Sequence, residues 1–159
     1  MSIRLQVQHR FSAPPERVFR ALTDLDRAGD WMPGHVSAVK LGGDGFGVGT
    51  QWRETRKMFG REATETFEVT EMDPPRRLGL RVDGTKGASK RGEYLFTYVL
   101  TPRDGGTDVV MDGEIRGMGK VWELVGRLMA GLFRKAIVKD MQAMDDYLKR
   151  TAPEPTAVA

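Results

Sequence analysis

The chain contains no cysteine in its 159 residues. That absence excludes a disulfide framework, a thiolate metal site and a cysteine nucleophile. Histidine is nearly as scarce: the two present, His9 and His35, are too few and too far apart to build a metal centre, so neither metal nor nucleotide cofactor is expected. There is no run of eighteen apolar residues, which excludes stable insertion across a bilayer. The amino terminus, MSIRLQVQHR, alternates apolar and polar residues where a secretory signal needs an unbroken apolar stretch, so a cytoplasmic location is the expectation. Charge of one sign is lacking too. The 25 lysines and arginines interleave with 22 acidic residues, leaving a net charge of +3 and no basic stripe, so nucleic acid is not an expected partner. The glycine-rich GGDGFGVG has no lysine-serine sequel and no helix behind it, which excludes a phosphate loop.

What is present reads as one domain over residues 1–150 followed by a proline-containing, disordered tail over 151–159. Ile3, Leu5, Val7, His9 and Phe11 alternate with polar residues, the period of a half-buried strand. The sequence SAPPE then starts a helix, since proline is tolerated in the first turn and a glutamate suits the positive end of the dipole. Val18, Phe19, Ala21 and Leu22 supply its apolar face, and a second short helix is expected over Leu25 to Trp31, ended by Pro33-Gly34. Six further strands follow: Val36 to Leu41, Thr50 to Met58, Glu62 to Met72, Leu78 to Val82, Tyr94 to Leu100 and Asp108 to Arg116. Their turns, including Phe59-Gly60 and Asp104-Gly-Gly106, are tight enough to require antiparallel pairing. Residues 83–91 form a longer polar loop expected to be mobile. Residues 118–150 read as a single helix, about 50 Å long at 1.5 Å per residue.

Two features reach beyond fold. In the first half of the long helix Val121, Trp122, Leu124, Val125, Leu128, Met129, Leu132, Phe133 and Ile137 spread around most of the circumference, more than one sheet face can cover. A ligand, a second subunit or the short helices must meet the remainder. Gly126 and Gly131 each cost about 1 kcal/mol in a helix interior, which fits either space for a ligand or close packing. The second feature is a hairpin. With Phe59-Gly60 as a two-residue turn, Trp52 pairs with Phe67, Glu54 with Glu65 and Arg56 with Ala63, which puts Glu54, Arg56 and Glu65 on one face with the aromatic pair. Two opposed carboxylates repel unless an arginine bridges them or one is protonated, so Arg56 is expected between them in a hydrated cavity, the alternative being an edge bent into solvent. His9 lies in line with inward apolar residues and reads as a satisfied core histidine, His35 as an exposed loop residue.

The segments APPERVFRALTDLDRAGDWMPG, GVGTQWRE, FEVTEMDPPRRLGLRV and LTPRDGGTDV, in this order and spacing, resemble the START-like superfamily, also called SRPBCC or Bet v 1-like, in its polyketide cyclase/dehydrase and lipid-transport branch. The resemblance covers about residues 3 to 150. It implies an α+β helix-grip fold: a curved, seven-stranded antiparallel sheet wrapped around the long C-terminal helix, two short helices between the first two strands, and an apolar cavity under the helix. Trp31 would then lie near that cavity. The leading functional expectation is binding of a small hydrophobic molecule, lipid-like or aromatic, lined by Trp31, Trp52, Phe67, Phe96, Met111, Trp122, Val125, Met129 and Phe133. An alternative is a cyclase or dehydratase in which Glu54 or Glu65 is the general acid or base and Arg56 stabilises an enolate oxygen. A further alternative is a regulatory module that uses the apolar helix to dimerise or to meet a partner.

Overall fold

The computed structural model describes residues 2–153, so the last six residues of the expected tail lie outside the described residues. Strand β1 (Ile3–Phe11) runs into Ser12-Ala13-Pro14, whose extended Pro14 precedes helix α1 (Pro15–Thr23). Proline opens the helix where its missing N–H is no loss, and Glu16 sits in the first turn. A short 3-10 helix (Leu25–Asp30) follows, capped by the Asp24 carboxylate, which accepts the Arg27 backbone N–H. The remaining strands are β2 (His35–Leu41), β3 (Gln51–Met58), β4 (Arg61–Asp73), β5 (Arg77–Asp83), β6 (Glu93–Arg103) and β7 (Gly106–Arg116). Helix α2 (Lys120–Arg150) ends the fold.

All seven strands form one antiparallel sheet in the order β1-β7-β6-β5-β4-β3-β2. The chain walks down the sheet from β2 to β7, and β7 returns to pair with β1. Both two-residue hairpin turns have two consecutive residues at positive φ, Phe59-Gly60 and Asp104-Gly105, the geometry whose twist matches the flanking strands. The β3–β4 register has Trp52 opposite Phe67, Glu54 opposite Glu65 and Met58 opposite Arg61, as the turn dictates. The core is densest at one end of the sheet, where Val7, Phe11, Leu78, Leu100, Val109 and Met111 meet Val18 and Phe19 of α1 and Met141, Met144 and Leu148 of α2.

The second half of α2 is fixed to β1 through Asp145. Its buried carboxylate accepts the Ser12 backbone N–H and hydroxyl, each at 3.3 Å, and pairs with His9 Nε2 at 3.3 Å and Lys149 Nζ at 3.3 Å. The carboxylate can only accept, so His9 presents its Nε2 proton, and its ring also meets Phe11 edge-on. His9 is the satisfied core histidine that its place in β1 suggests. Burial works against the charge on Asp145, but the hydrogen bonds from Ser12 and His9 and the Lys149 ammonium outweigh it and hold the pKa below the ordinary value.

His35 departs from expectation. It opens β2 opposite Arg56, half-buried, against Gly29, with no hydrogen-bond partner for its buried Nδ1. The reason is Gly34 before it, at φ +71, whose backbone accepts the Lys57 N–H at 2.7 Å and presses so closely on the Lys57 carbonyl that any Cβ would collide. That contact pulls the segment onto β3 instead of leaving it in solvent.

Asp145→Ala is expected to lower the unfolding free energy at pH 7 by about 2 kcal/mol, since it leaves the Ser12 N–H and His9 without their acceptor. A carboxylate with a lowered folded pKa stabilises above the ordinary value of 3.8 and loses that contribution as pH falls through the folded value. Urea melts at pH 7 and pH 3 should therefore show the difference between wild type and variant shrinking in acid.

Candidate functional site

Glu54 of the β3–β4 hairpin is buried and Arg56 is largely so, and their partners differ from those the sequence suggests. Arg56 does not bridge Glu54 and Glu65. Its guanidinium makes a bidentate pair with Asp140 of α2, both contacts at 2.8 Å, and donates a third hydrogen bond to the Pro33 carbonyl at 2.8 Å. The hairpin is long enough, and the sheet twisted enough, to bring β3 across to the helix, and a carboxylate there matches the guanidinium fork better than a same-strand glutamate can. Burial alone would weaken the charge on Arg56, but the Asp140 carboxylate reverses that and raises its pKa. Arg56 Nε remains buried and unpartnered.

Glu54 is buried beside this pair. Its one side-chain hydrogen bond comes from Trp52 Nε1 at 3.4 Å. Burial pushes its pKa up; Arg56 opposes the shift and does not cancel it. Tyr98, which periodicity on β6 places on the inner face but which is absent from the residues expected above, belongs to the same group. Burial raises its pKa far above the ordinary phenol value, and the carboxylates of Asp140 and Glu54 push the same way, so the hydroxyl stays neutral. Asp140 is a second residue that sequence reasoning misses. The helix pattern carries a signal for it, a carboxylate on the flank of an otherwise apolar face, but only tertiary structure brings it to Arg56.

Glu65 has a separate task. Its carboxylate accepts the Ala88 backbone N–H at 3.0 Å, and Gly87 passes so close that a Cβ would strike the carboxylate. Burial raises its pKa against the hydrogen bonds from Ala88 and Ser89. The polar loop of residues 83–91, expected to be mobile, is thus tied to the sheet; it contains a 3-10 turn (Gly84–Lys86), and Ser89 Oγ donates to the Gly84 and Arg91 carbonyls. At its end the Arg91 guanidinium lies 4.2 Å above the Trp122 ring.

The apolar residues expected to line a cavity divide into three groups. Trp52 is buried, stacked on Phe67 with ring centroids 5.2 Å apart and tilted against Phe46 at 5.9 Å. Phe67, Phe96, Met129, Phe133 and Trp31 keep some accessible surface, as does the unexpected Tyr98, and Phe67, Phe96 and Tyr98 sit on interior strands. Trp31 Nε1 is buried without a partner. The others are placed differently. Met111 is fully buried in the core cluster. Trp122 and Val125 are exposed on α2, Trp122 under Arg91, because the first half of the helix leaves the core cluster that its second half joins. Gly126 is explained by packing, since a Cβ there would strike Ile3, whereas Gly131 faces open space. Two surface grooves lie away from this region, one of 370 Å³ between Phe19, Met72 and Pro74-Pro75 and one of 510 Å³ along Leu5, Leu95 and Gly113.

An inner sheet face with a polar group at its centre, gripped around a C-terminal helix, has counterparts among known proteins. Residues 2–152 match the family model described as polyketide cyclase / dehydrase and lipid transport. The chain belongs to this family. Solved structures share its Bet v 1-like helix-grip fold at low sequence identity. The protein TTHA0849 from Thermus thermophilus has a TM-score of 0.77 at 20 % identity, covering 95 % of this chain and 100 % of its own. The ginseng major latex-like protein 151 from Panax ginseng has a TM-score of 0.74 at 9 % identity, over 92 % of this chain and 97 % of its own. Ara h 8.0201 has a TM-score of 0.72 at 15 % identity, over 95 % of this chain and 100 % of its own. No curated protein sequence matches the chain.

Asp140→Ala and Arg56→Ala should each cost about 2 kcal/mol of stability, because either leaves a largely buried charge without its fork partner. A double-mutant cycle in urea should return a coupling above about 1 kcal/mol. Glu54→Gln is expected to act in the opposite direction. A carboxyl with a raised folded pKa stabilises the fold fully below its ordinary 4.5 and loses that contribution as pH rises through the folded value, so at pH 7 the amide should match or exceed wild type in melting temperature.

Proposed function

We propose that this protein binds a small hydrophobic molecule, lipid-like or aromatic, between the inner face of β3 to β6 and the first half of α2, with any polar head turned toward Arg56, Asp140 and Tyr98. The observation that carries the reading is the residual exposure of Phe67, Phe96 and Tyr98 on interior strands, together with the half-burial of Met129 and Phe133 on α2. Family membership supports it, since the family description includes lipid transport. The polar end has the chemistry to orient a cargo: Tyr98 offers a neutral hydroxyl, Arg56 a charge already held by Asp140, and Trp31 Nε1 and His35 Nδ1 are buried atoms whose hydrogen-bonding capacity the protein does not use. At roughly 25 cal/mol per Å², a ligand losing about 300 Å² of apolar surface gains about 7 kcal/mol before ordering costs, which puts affinity in the micromolar range or weaker unless the head group adds to it.

A second reading rests on one specific observation, the raised pKa of the buried Glu54 beside a cationic Arg56. In a cyclase or dehydratase of the polyketide type, such a carboxyl would exchange a proton with the carbon or oxygen of a bound substrate while the guanidinium and Tyr98 hydroxyl hold the oxygen that gains charge. Glu65 is a less direct candidate, because its Oε1 accepts the Ala88 N–H and its Oε2, buried without a hydrogen-bond partner, lies against Gly87 of the loop.

Titration with the apolar fluorophore 1-N-phenylnaphthylamine should show saturable enhancement at micromolar concentrations. Ala130→Trp, on the helix side that faces the sheet, should cut that affinity at least tenfold without lowering the melting temperature; unchanged binding would place the fluorophore elsewhere. Glu54→Gln should retain fluorophore binding, and loss of turnover on a polyketide-like substrate in that variant would be the mark of the enzymatic reading.

A further inference from the structure

The outward face of the first half of α2 is unexplained by any cargo beneath it. Met141, Met144 and Leu148 define the direction of the core. At about 100° per residue, Val121, Leu124, Val125, Leu128 and Leu132 point about 180° away from them. Their exposure agrees: Val121 is 73 % exposed, Leu124 62 % and Leu128 78 %. The five form a convex aliphatic ridge about 16 Å long, with no strand, helix or loop of the described residues covering it. Nothing lodged between sheet and helix can bury it.

The charges around the ridge select its occupant. Lys120, Arg127, Arg134, Lys135 and Lys139 are all exposed along the same stretch, against one acidic residue, Glu123. Lys90 and Arg91 join them on the loop that Arg91 rests against Trp122, while Lys86 of the same loop is paired with Asp83. A second copy using the same face would set these cations against their equivalents, which opposes a symmetric dimer. A protein groove would more often be met by aromatic anchors, and the exposed aromatic of this half, Trp122, stands to the side of the ridge under Arg91. An anionic lipid surface satisfies both parts at once: the aliphatic ridge enters the boundary between head groups and acyl chains while lysines and arginines remain with the phosphates. None of the described helices is long and apolar enough to cross a membrane, so the contact lies in the surface plane.

We infer that the first half of α2 docks this protein onto bilayers rich in anionic phospholipid, with Leu124 and Leu128 inserted and Lys135 and Lys139 on the head groups. The inference is independent of what the interior carries.

Vesicle co-sedimentation tests it, using phosphatidylcholine vesicles with and without about one third phosphatidylglycerol. Wild type should bind the anionic vesicles at low salt, at least tenfold more weakly the neutral ones, and lose most binding at high salt. The double variants Leu124→Glu/Leu128→Glu and Lys135→Glu/Lys139→Glu should each reduce binding at least tenfold while melting temperature and fluorophore binding stay at wild-type values, since all four side chains stand in solvent. Absence of binding to anionic vesicles, equal binding by wild type and both variants, or a wild-type dimer in sedimentation velocity that Leu128→Glu dissociates, would each overturn the inference.

Discussion

The bidentate pair between Arg56 and Asp140 joins the two structures that have to meet for this fold to close. Along β1 the helix is held by Asp145 and by the close approach of Gly126 to Ile3. That edge alone would leave the helix resting on one side of an open sheet. Arg56, near the β3–β4 turn, reaches the opposite flank of α2 and ties it to the far end of the sheet. The pair is mostly buried and costly to desolvate, so its value lies less in net stability than in setting where the helix sits. Because Arg56 also donates to the Pro33 carbonyl, the connection after the 3-10 helix is held by the same side chain. The helix, the hairpin and the segment before β2 thus share one fastening.

Much of the architecture is legible in the sequence because its signals are local. Alternation in β1, the proline start of α1, the paired positive-φ turns and the uninterrupted last helix each follow from near neighbours, and a two-residue turn dictates every pair in the β3–β4 ladder. The sites are legible only as far as the face on which they lie. That Glu54, Arg56 and Glu65 share a face with Trp52 and Phe67 follows from counting along a strand. That Arg56 then prefers Asp140, while Glu65 accepts from the backbone of residue 88, depends on the twist of the sheet and the path of a loop, neither of which has a short-range signature. Tyr98 is readable by the same counting, but a tyrosine on a strand face with Tyr94, Phe96 and Leu100 looks like packing.

The long helix shows the same limit from another side. Its excess of apolar residues requires more than the sheet, and that much the sequence reveals. Which of them face inward is not decidable from spacing, because the apolar set is spread so widely that periodicity has no single peak. The second half settles the phase: Met141, Met144 and Leu148 face the core, and the ridge from Val121 to Leu132 then has to face solvent. One rigid rod therefore presents two apolar surfaces on opposite sides, one toward the interior and one outward.

Gly34 has no side chain and touches neither Arg56 nor Asp140 through one, yet its backbone lies against the Lys57 carbonyl, one residue along the strand from the arginine. The thickness of a single absent methyl group therefore sets how near the hairpin may come to the rod. Variation tolerated at neighbouring surface positions would, at this one, pry the clasp apart from the outside.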